Sequence, residues 1–516
     1  MKINNFIKNN KLYVILFFLL FFIIGVLVFR DYGISWDETI SRNNGAISYN
    51  YTVYGDKYLL NYTDRSYGVA FELPLYTLEK ILNLQDSRDI FLMRHFLTFL
   101  VFFIGVIFFY KLCKEYFNDW KIGLLGSLFL ILSPRIFANS FYNDKDLVFM
   151  SIFIIGIYSL IKWTEKKSYP RTFIHAIICA IIINIRMPGV IILAITIFIF
   201  SLESVFKYNK SQIKKDLIQL VLFILILTIF IIIFWPSLWA SPLKNFILFF
   251  KKMSNYPWGG VNLYLGHYIK ATNLPWHYIP VWILISTPIL YSICFFIGLI
   301  VLIISFILNK WKNYSYQQKN KNIIFILWLF VPLASVIILK STLYNSWRQM
   351  FFIYPAFLLI SLIGILKFFE YIKNWRFLKI LFIILISLSL LFTVFILWYI
   401  HPHQDVYFNI LAGKGEKIRS NFELNYWGLS YKQGLEYILK SDNRTSIKIA
   451  VENYPGLQNA KILSPQDRAR LQYVELKDAD YFLTNYYDSH NKVYEYNEIH
   501  SIKVMNVKIL GIYKLK

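Results

Sequence analysis

Cysteine is scarce in this chain, and so is negative charge. Three cysteines occur among 516 residues. Cys113, Cys179 and Cys294 each lie in or beside an apolar run, so neither a disulfide framework nor a cysteine metal site is suggested. Asp and Glu total 30 against 54 Lys and Arg, and charged residues reach only 16%, where a soluble protein carries about a quarter. No Walker loop, GxGxxG fingerprint or GxSxG elbow is present, so nothing argues for nucleotide chemistry on the cytoplasmic side. A small-residue cleavage site after the first apolar run is also missing. That run, about 18 residues, exceeds the roughly 7–15 of a signal peptide and reads as a retained span.

What the chain has instead is apolar length. Hydrophobic residues make up 57% and aromatic residues 19%, with a mean hydropathy of +0.48. Runs suited to cross about 30 Å of hydrocarbon as helices fall near 12–29, 91–112, 122–138, 147–161, 172–187, 189–206, 217–235, 278–308, 323–339, 350–366 and 377–399. The formal charge of +24 is a topology signal and not a nucleic-acid one. Alternate short connections carry the cations, beginning with Lys2, Lys8 and Lys11 and ending with Arg376 and Lys379. The positive-inside rule assigns those loops to the cytoplasm.

The same rule settles two ambiguous runs. Residues 172–206 are interrupted by Arg186-Met187-Pro188-Gly189 and have basic loops on both flanks. An even number of crossings is required, hence a hairpin with its tip outside. Residues 278–308 contain Pro288 and have one basic flank, so one tilted, kinked span is expected. The total is about eleven transmembrane helices, with the N-terminus cytoplasmic and the C-terminus outside.

The expected fold class is therefore an α-helical polytopic membrane protein with a small C-terminal extracytoplasmic α/β domain. Residues 1–399 form the transmembrane part, with outer loops at about 30–90 and 236–277, and 400–516 the outer domain. In that tail "SYKQGLEYILKS" reads as a helix capped by Ser430, and "LSPQDRARL" as one with Ser464 before Pro465 at its first position. "SIKIAVEN", "DYFLTNYY" and the final "SIKVMNVKILGIYKLK" read as strands, the last with a hairpin or bulge near Gly511.

Two acidic clusters fall on the outer side. Asp37 and Glu38 follow the first span in "GISWDETISR". A local reading is a capping box, with Ser35 as N-cap and Glu38 reaching back from the third position. "NSFYNDKDLVF" places Asn143, Asp144, Lys145 and Asp146 in a short turn between the third and fourth spans, where polar residues are needed in any case. Two acid clusters on one face of one bundle also suit chemistry. One carboxylate can act as general base on a sugar hydroxyl, and a second can orient it or hold a divalent cation. Arg186, near the outer end of its span, has the fork to hold a lipid phosphate or to anchor among headgroups. Arg348 in "LYNSWRQMFFIYP", and Arg94 with His95 in "RHFLTFL", repeat that placement. Together they form a cationic ring above acids, as an anionic lipid-linked substrate would need. The histidine pairs His267/His277 and His401/His403 lack convincing metal-ligand spacing.

With these residues in view, the chain resembles the membrane glycosyltransferases of the GT-C type. That group includes protein O-mannosyltransferases and bacterial enzymes moving aminoarabinose or galacturonic acid from a polyprenyl phosphate. The resemblance covers most of the chain and rests on "WDE", "RHFLTFL", "SFYNDKDLVF", "IRMPG", "NLPWHYIPVWILISTP", "LYNSWRQMFFIYP" and "HPHQDVYFN" with "NYWGLSY". The last four look like a bacterial branch related to glycosyltransferase family 39. The resemblance implies an enzyme of the cell membrane using a polyprenyl-phosphate-linked sugar on the outer face, with Asp37 as catalytic base. Asp146 with Lys145 matches the family's second acidic motif, and Asp144 departs from it. Asn425 in "NYWG" stands where relatives often show Asp. Acceptors of three kinds, lipid, glycan and protein, stay open. A transporter or flippase for a lipid-linked sugar, or a glycan polymerase or ligase, is the competing reading.

Overall fold

All eleven apolar runs are helical, two of them as pairs of helices. The computed structural model describes residues 2–206, 210–308, 315–488 and 492–516. Side chains at 2–9, 206, 210 and 211 are not described, which takes in those of Lys2, Lys8 and Lys210, and Lys207, Lys310 and Lys312 lie outside the described residues. Among those residues nine helices are long and apolar enough to cross a membrane, or ten if the bent pair Trp120–Ile131 and Pro134–Tyr142 is one broken span. The remaining run is the shorter apolar helix Tyr169–Ile185, of 17 residues.

Two expectations about these runs meet their geometry here. Residues 172–206 do form a hairpin: Lys167 before it is ion-paired with Glu203 near its far end, and the chain reverses at the short 3-10 turn Met187–Gly189. Residues 278–308 differ from one kinked span. They divide at Thr287-Pro288 into Tyr278–Ser286 and Ile289–Ile307, and the second helix alone has spanning length. Pro288 can neither donate a backbone hydrogen bond nor let Thr287 stay helical, so the break is local chemistry. Asn409 occupies the gap, donating its side-chain amide to the carbonyls of Leu284 and Thr287 at 2.6 and 2.7 Å.

The basic loops gather at one end of the bundle. Lys162 bridges to Glu115 at 2.5 Å, and Lys321 reaches Glu115 at 3.1 Å and Glu165 at 3.3 Å. At the other end lies a layer of short elements. The helices Glu38–Tyr54 and Glu72–Ile81 cross so closely that a Cβ on Gly45 would stand 2.4 Å from the Glu72 carbonyl oxygen. Over 236–277 there is a helix, Pro242–Ser254, and a two-stranded hairpin of Val261–Tyr264 with His267–Lys270.

The third run bends by 71° between Ile131 and Pro134. Pro134 opens the second piece, and all nine residues of Pro134–Tyr142 are buried. That piece delivers the Asn143–Asp146 turn into the protein interior, where Asn143, Asp144 and Asp146 are each at most 3% exposed. A turn expected to sit in water is therefore internal.

The tail forms a five-stranded sheet in the order Leu471–Tyr473, Ile447–Val451, Tyr481–Thr484, Val507–Lys514, Asn497–Val504. The first three strands are mutually parallel and the last two antiparallel. The helix Pro465–Ala469 starts as expected, with Ser464 Oγ accepting the Asp467 N–H at 3.1 Å. Ser430 instead lies inside the helix Ser430–Ser441, whose N-cap is Leu429. The final hairpin turns at Met505-Asn506, both at positive φ, while the irregularity near Gly511 is a register shift between Leu510 and Lys508. Asn is among the residues that tolerate the left-handed region, which a two-residue hairpin turn demands. One hydrophobic cluster runs from Phe18 in the first helix to Ile512 in the last strand, so the tail shares the bundle's core.

Candidate active site

The acids and bases that the charge pattern assigns to the outer side converge, but in two layers. The upper layer is built on Asp37, Asp146, Arg186 and Arg348. The helix after the first span begins at Glu38 with Asp37 as N-cap, and the Asp37 side chain makes no capping bond. It is free to face Arg348, whose Nη1 donates to Asp37 Oδ2 at 2.9 Å and to Asp146 Oδ2 at 3.2 Å. The other oxygen of Asp146 is ion-paired with Arg186. Asn143 holds Asp146 in place, accepting its backbone N–H at 2.7 Å and donating to Oδ2 at 3.2 Å. The Arg348 guanidinium lies over the rings of Trp427 and Tyr344, at 4.5 and 5.0 Å. Trp427 comes from the tail, and its carbonyl accepts the Trp36 N–H at 3.2 Å. Lys145 stands 4.4 Å over the Tyr67 ring.

Of the two carboxylates Asp37 is the accessible one, with 24% of its side chain exposed against 1% for Asp146. Burial pushes the Asp37 carboxyl up. The Arg348 guanidinium, then Lys145 and Arg186, more than offset this and hold it below the ordinary carboxylate range. Asp37 is an anion at neutral pH.

The lower layer contains Glu38, Asp144, Arg94 and His95. Glu38 accepts the Ser35 N–H at 2.6 Å, half of the expected capping box, and its other oxygen meets His95 Nε2 at 2.8 Å. The Ser35 hydroxyl is turned toward the Tyr142 carbonyl, at 3.4 Å. Asp144 accepts from Ser41 at 3.0 Å and from Arg94 at 2.8 Å, and Arg94 also pairs with Glu72. All of these acids and their Arg94 and His95 partners are buried. They tie the helices Glu38–Tyr54 and Glu72–Ile81 to the helix Ser87–Phe117.

A cavity of about 280 Å³ opens beside the upper layer. It is lined by Arg186, Tyr67 and Tyr344 together with apolar side chains such as Ile191, Val336 and Phe352. A pocket with one cationic rim and apolar walls suits a ligand carrying an anion on a hydrocarbon tail. Among the described residues no group of three or more metal-ligating side chains converges. The position between Asp37 and Asp146 is taken by the Arg348 guanidinium.

Sequence reading missed Glu72, Trp427 and Glu423. Glu72 had a signal: with Leu75, Tyr76 and Glu79 it falls on one helical face, and all four are buried. An acid on an apolar stripe calls for a buried partner. Glu423 had none. It is buried, and burial pushes its pKa up to about 8. Asn425, at φ 41°, donates to Ser430 Oγ at 2.5 Å and to the Ile509 carbonyl at 3.0 Å, and so holds the tail's own fold.

The dolichyl-phosphate-mannose-protein mannosyltransferase family matches residues 75–235, which include Asp144, Asp146 and Arg186. The crystal structure of ArnT from Cupriavidus metallidurans in the apo state aligns over 97% of this chain and 98% of that one, with a TM-score of 0.52 and 8% identity. The same protein bound to undecaprenyl phosphate aligns over the same shares at 8% identity, with a TM-score of 0.49. No curated protein sequence matches the chain. The family model matches about a third of the chain, and the whole-chain alignment shows a fold like that of ArnT, a polytopic helical bundle with a small C-terminal sheet domain.

Proposed function

We propose that the protein transfers a sugar from a polyprenyl-phosphate carrier to a cell-envelope acceptor at the outer face of the membrane. The observation that carries this reading is the accessible anion Asp37, held by Arg348 against Asp146 and Arg186 beside a cavity with apolar walls. The matching family is named for a donor of the same chemical type, a sugar on a polyprenyl phosphate.

The chemistry is a single inverting displacement. The acceptor oxygen attacks the anomeric carbon while the bond from that carbon to the phosphate oxygen breaks. Polyprenyl phosphate leaves with the electron pair, and Asp37 takes the acceptor's proton. The leaving phosphate gains charge as it departs, so it needs cations more than protons; Arg186, Arg348 and Lys145 supply them. Arg348 also couples the two events. The donor phosphate competes with Asp37 for its guanidinium, and as the guanidinium turns to phosphate the carboxylate becomes a stronger base. Asp146 keeps Arg186 and Arg348 facing the site, while Glu38, Asp144, Arg94 and His95 brace the helices that carry it.

The orientation is part of the proposal: N-terminus in the cytoplasm, tail outside the cell membrane, from the alternation of basic loops. The test is purified full-length protein given a synthetic polyprenyl-phosphate sugar and an envelope extract. Release of polyprenyl phosphate that depends on acceptor and is lost in Asp37→Asn is expected. Donor that stays intact under all acceptors would overturn the reading.

A further inference from the structure

One cavity belongs to neither the donor site nor its bracing. It lies at the far end of the bundle, between the first helix, Lys2–Val28, and the helix Ser87–Phe117, and measures about 520 Å³. Lys11 and Lys114 line it, with Tyr110 and Trp120 beside them and Val14 and Ile15 along the first helix. Tyr13 stacks on Trp120 with ring centroids 6.2 Å apart and planes 7° from parallel. Lys121 reaches over the Trp120 ring at 5.9 Å.

The charge of this pocket is not cancelled from within. Asp119 is its one lining acid, and that carboxylate accepts the Lys121 backbone N–H at 2.7 Å, capping the helix Trp120–Ile131. The neighbouring Glu115 is turned to Lys162 and Lys321. Among the described residues neither Lys11 nor Lys114 is paired with a carboxylate. Beyond the pocket the first helix is largely bare: Ile15, Leu16, Leu19 and Leu20 are each about half exposed or more, and only 17% of its apolar window is buried inside the protein.

We propose that this pocket is a binding site for the headgroup of an anionic phospholipid, independent of the transfer reaction. Lysines at the water boundary hold the phosphate, the Tyr13–Trp120 stack sits at headgroup depth, and acyl chains lie along the bare face of the first helix. A cavity between helices with cations at its mouth and a lipid-facing wall fits a charged head joined to hydrocarbon. A choline headgroup carries the same phosphate, but its own cation would meet Lys11 and Lys114. The ligand is therefore a net-negative diacyl lipid such as phosphatidylglycerol or cardiolipin.

Native mass spectrometry of the delipidated full-length protein, titrated with phosphatidylglycerol, cardiolipin or phosphatidylcholine, tests this. Wild type should retain the two anionic lipids in preference to phosphatidylcholine. Lys11→Ala with Lys114→Ala should weaken phosphatidylglycerol retention roughly 30-fold, while Lys11→Arg with Lys114→Arg keeps it. The control pair Lys367→Ala with Lys373→Ala should leave retention unchanged. Equal retention of phosphatidylglycerol and phosphatidylcholine by wild type would overturn the proposal without any variant. So would equal losses in the pocket and control pairs, or inorganic phosphate binding as well as the lipid.

Discussion

Arg348 Nη1 donates to Asp37 Oδ2 at 2.9 Å, joining two residues 311 positions apart in the chain. One comes from the N-cap of the helix after the first span, the other from the start of the short helix Arg348–Ile353. Their ion pair closes the candidate site, and the same guanidinium reaches Asp146 at 3.2 Å. An arginine shared by two carboxylates is held in position, yet it has an alternative partner whenever another anion arrives.

The first consequence concerns Asp37. Asp37→Asn is nearly isosteric and caps the helix no worse, since the native side chain makes no cap bond. Protein level in the membrane and donor retention should match wild type, with transfer reduced by about 10²–10⁴. The check is single-turnover release of polyprenyl phosphate beside a donor-binding assay. Near-wild-type transfer would move the base to Asp146.

Arg348 sets the pH response. Because it holds the Asp37 carboxyl below the ordinary range against the upward push of burial, the acid limb of kcat/KM in wild type should lie below that of an ordinary carboxylate. Arg348→Gln removes the largest attraction and leaves only Lys145 and Arg186 against burial, so the limb should move up. A limb that stays in place in that variant would separate Asp37 from the titrating step.

Arg186 lines the cavity and also contacts Asp146. Lysine keeps the charge but loses the planar fork. Arg186→Lys should lower kcat/KM for donor by about 10–100-fold, chiefly through KM, as expected for one charge-assisted pair. Unchanged donor KM would make the residue an anchor.

Glu423 makes the opposite pH prediction, for stability. Its folded pKa, pushed up to about 8 by burial, exceeds the unfolded value of about 4.3. Between those values the folded chain keeps a proton that the unfolded chain has lost, so stability falls as pH rises through the window. Glu423→Gln should flatten that fall and melt higher than wild type at pH near 8. Parallel melting curves across pH would show the acid already ionised in the fold.

The orientation is tested by a reporter fused after Lys516. Phosphatase activity there is expected to be that of an exported domain. Cytoplasmic behaviour would reverse the membrane placement of the site.

Much of the scaffold was legible in the chain because its causes are local. Apolar runs mark helices whatever surrounds them, and basic flanks on both sides of residues 172–206 required the hairpin that the Lys167–Glu203 pair closes. Ser464 before Pro465 started a helix by its own hydrogen bond. Local signals also leave two candidates open where they compete. The run near Gly511 reads as a hairpin or a bulge; the register shift lies there, and Met505-Asn506 takes the turn with its positive φ angles.

The site divides along the same line. From the sequence alone came its ingredients: Asp37, Asp146, Arg186 and Arg348, each placed at one end of a span by charge and hydropathy. Only the tertiary structure sorted them. The bend after Ile131 buried the Asn143–Asp146 turn, which put Asp144 with Arg94 in the bracing layer and Asp146 with Arg186 and Arg348 in the other. The same packing brought Trp427 from the tail onto Arg348. Periodicity and hydropathy describe how each segment meets solvent or lipid, whereas ion pairs between segments depend on which helix faces which, and that is decided by the packing of the whole bundle.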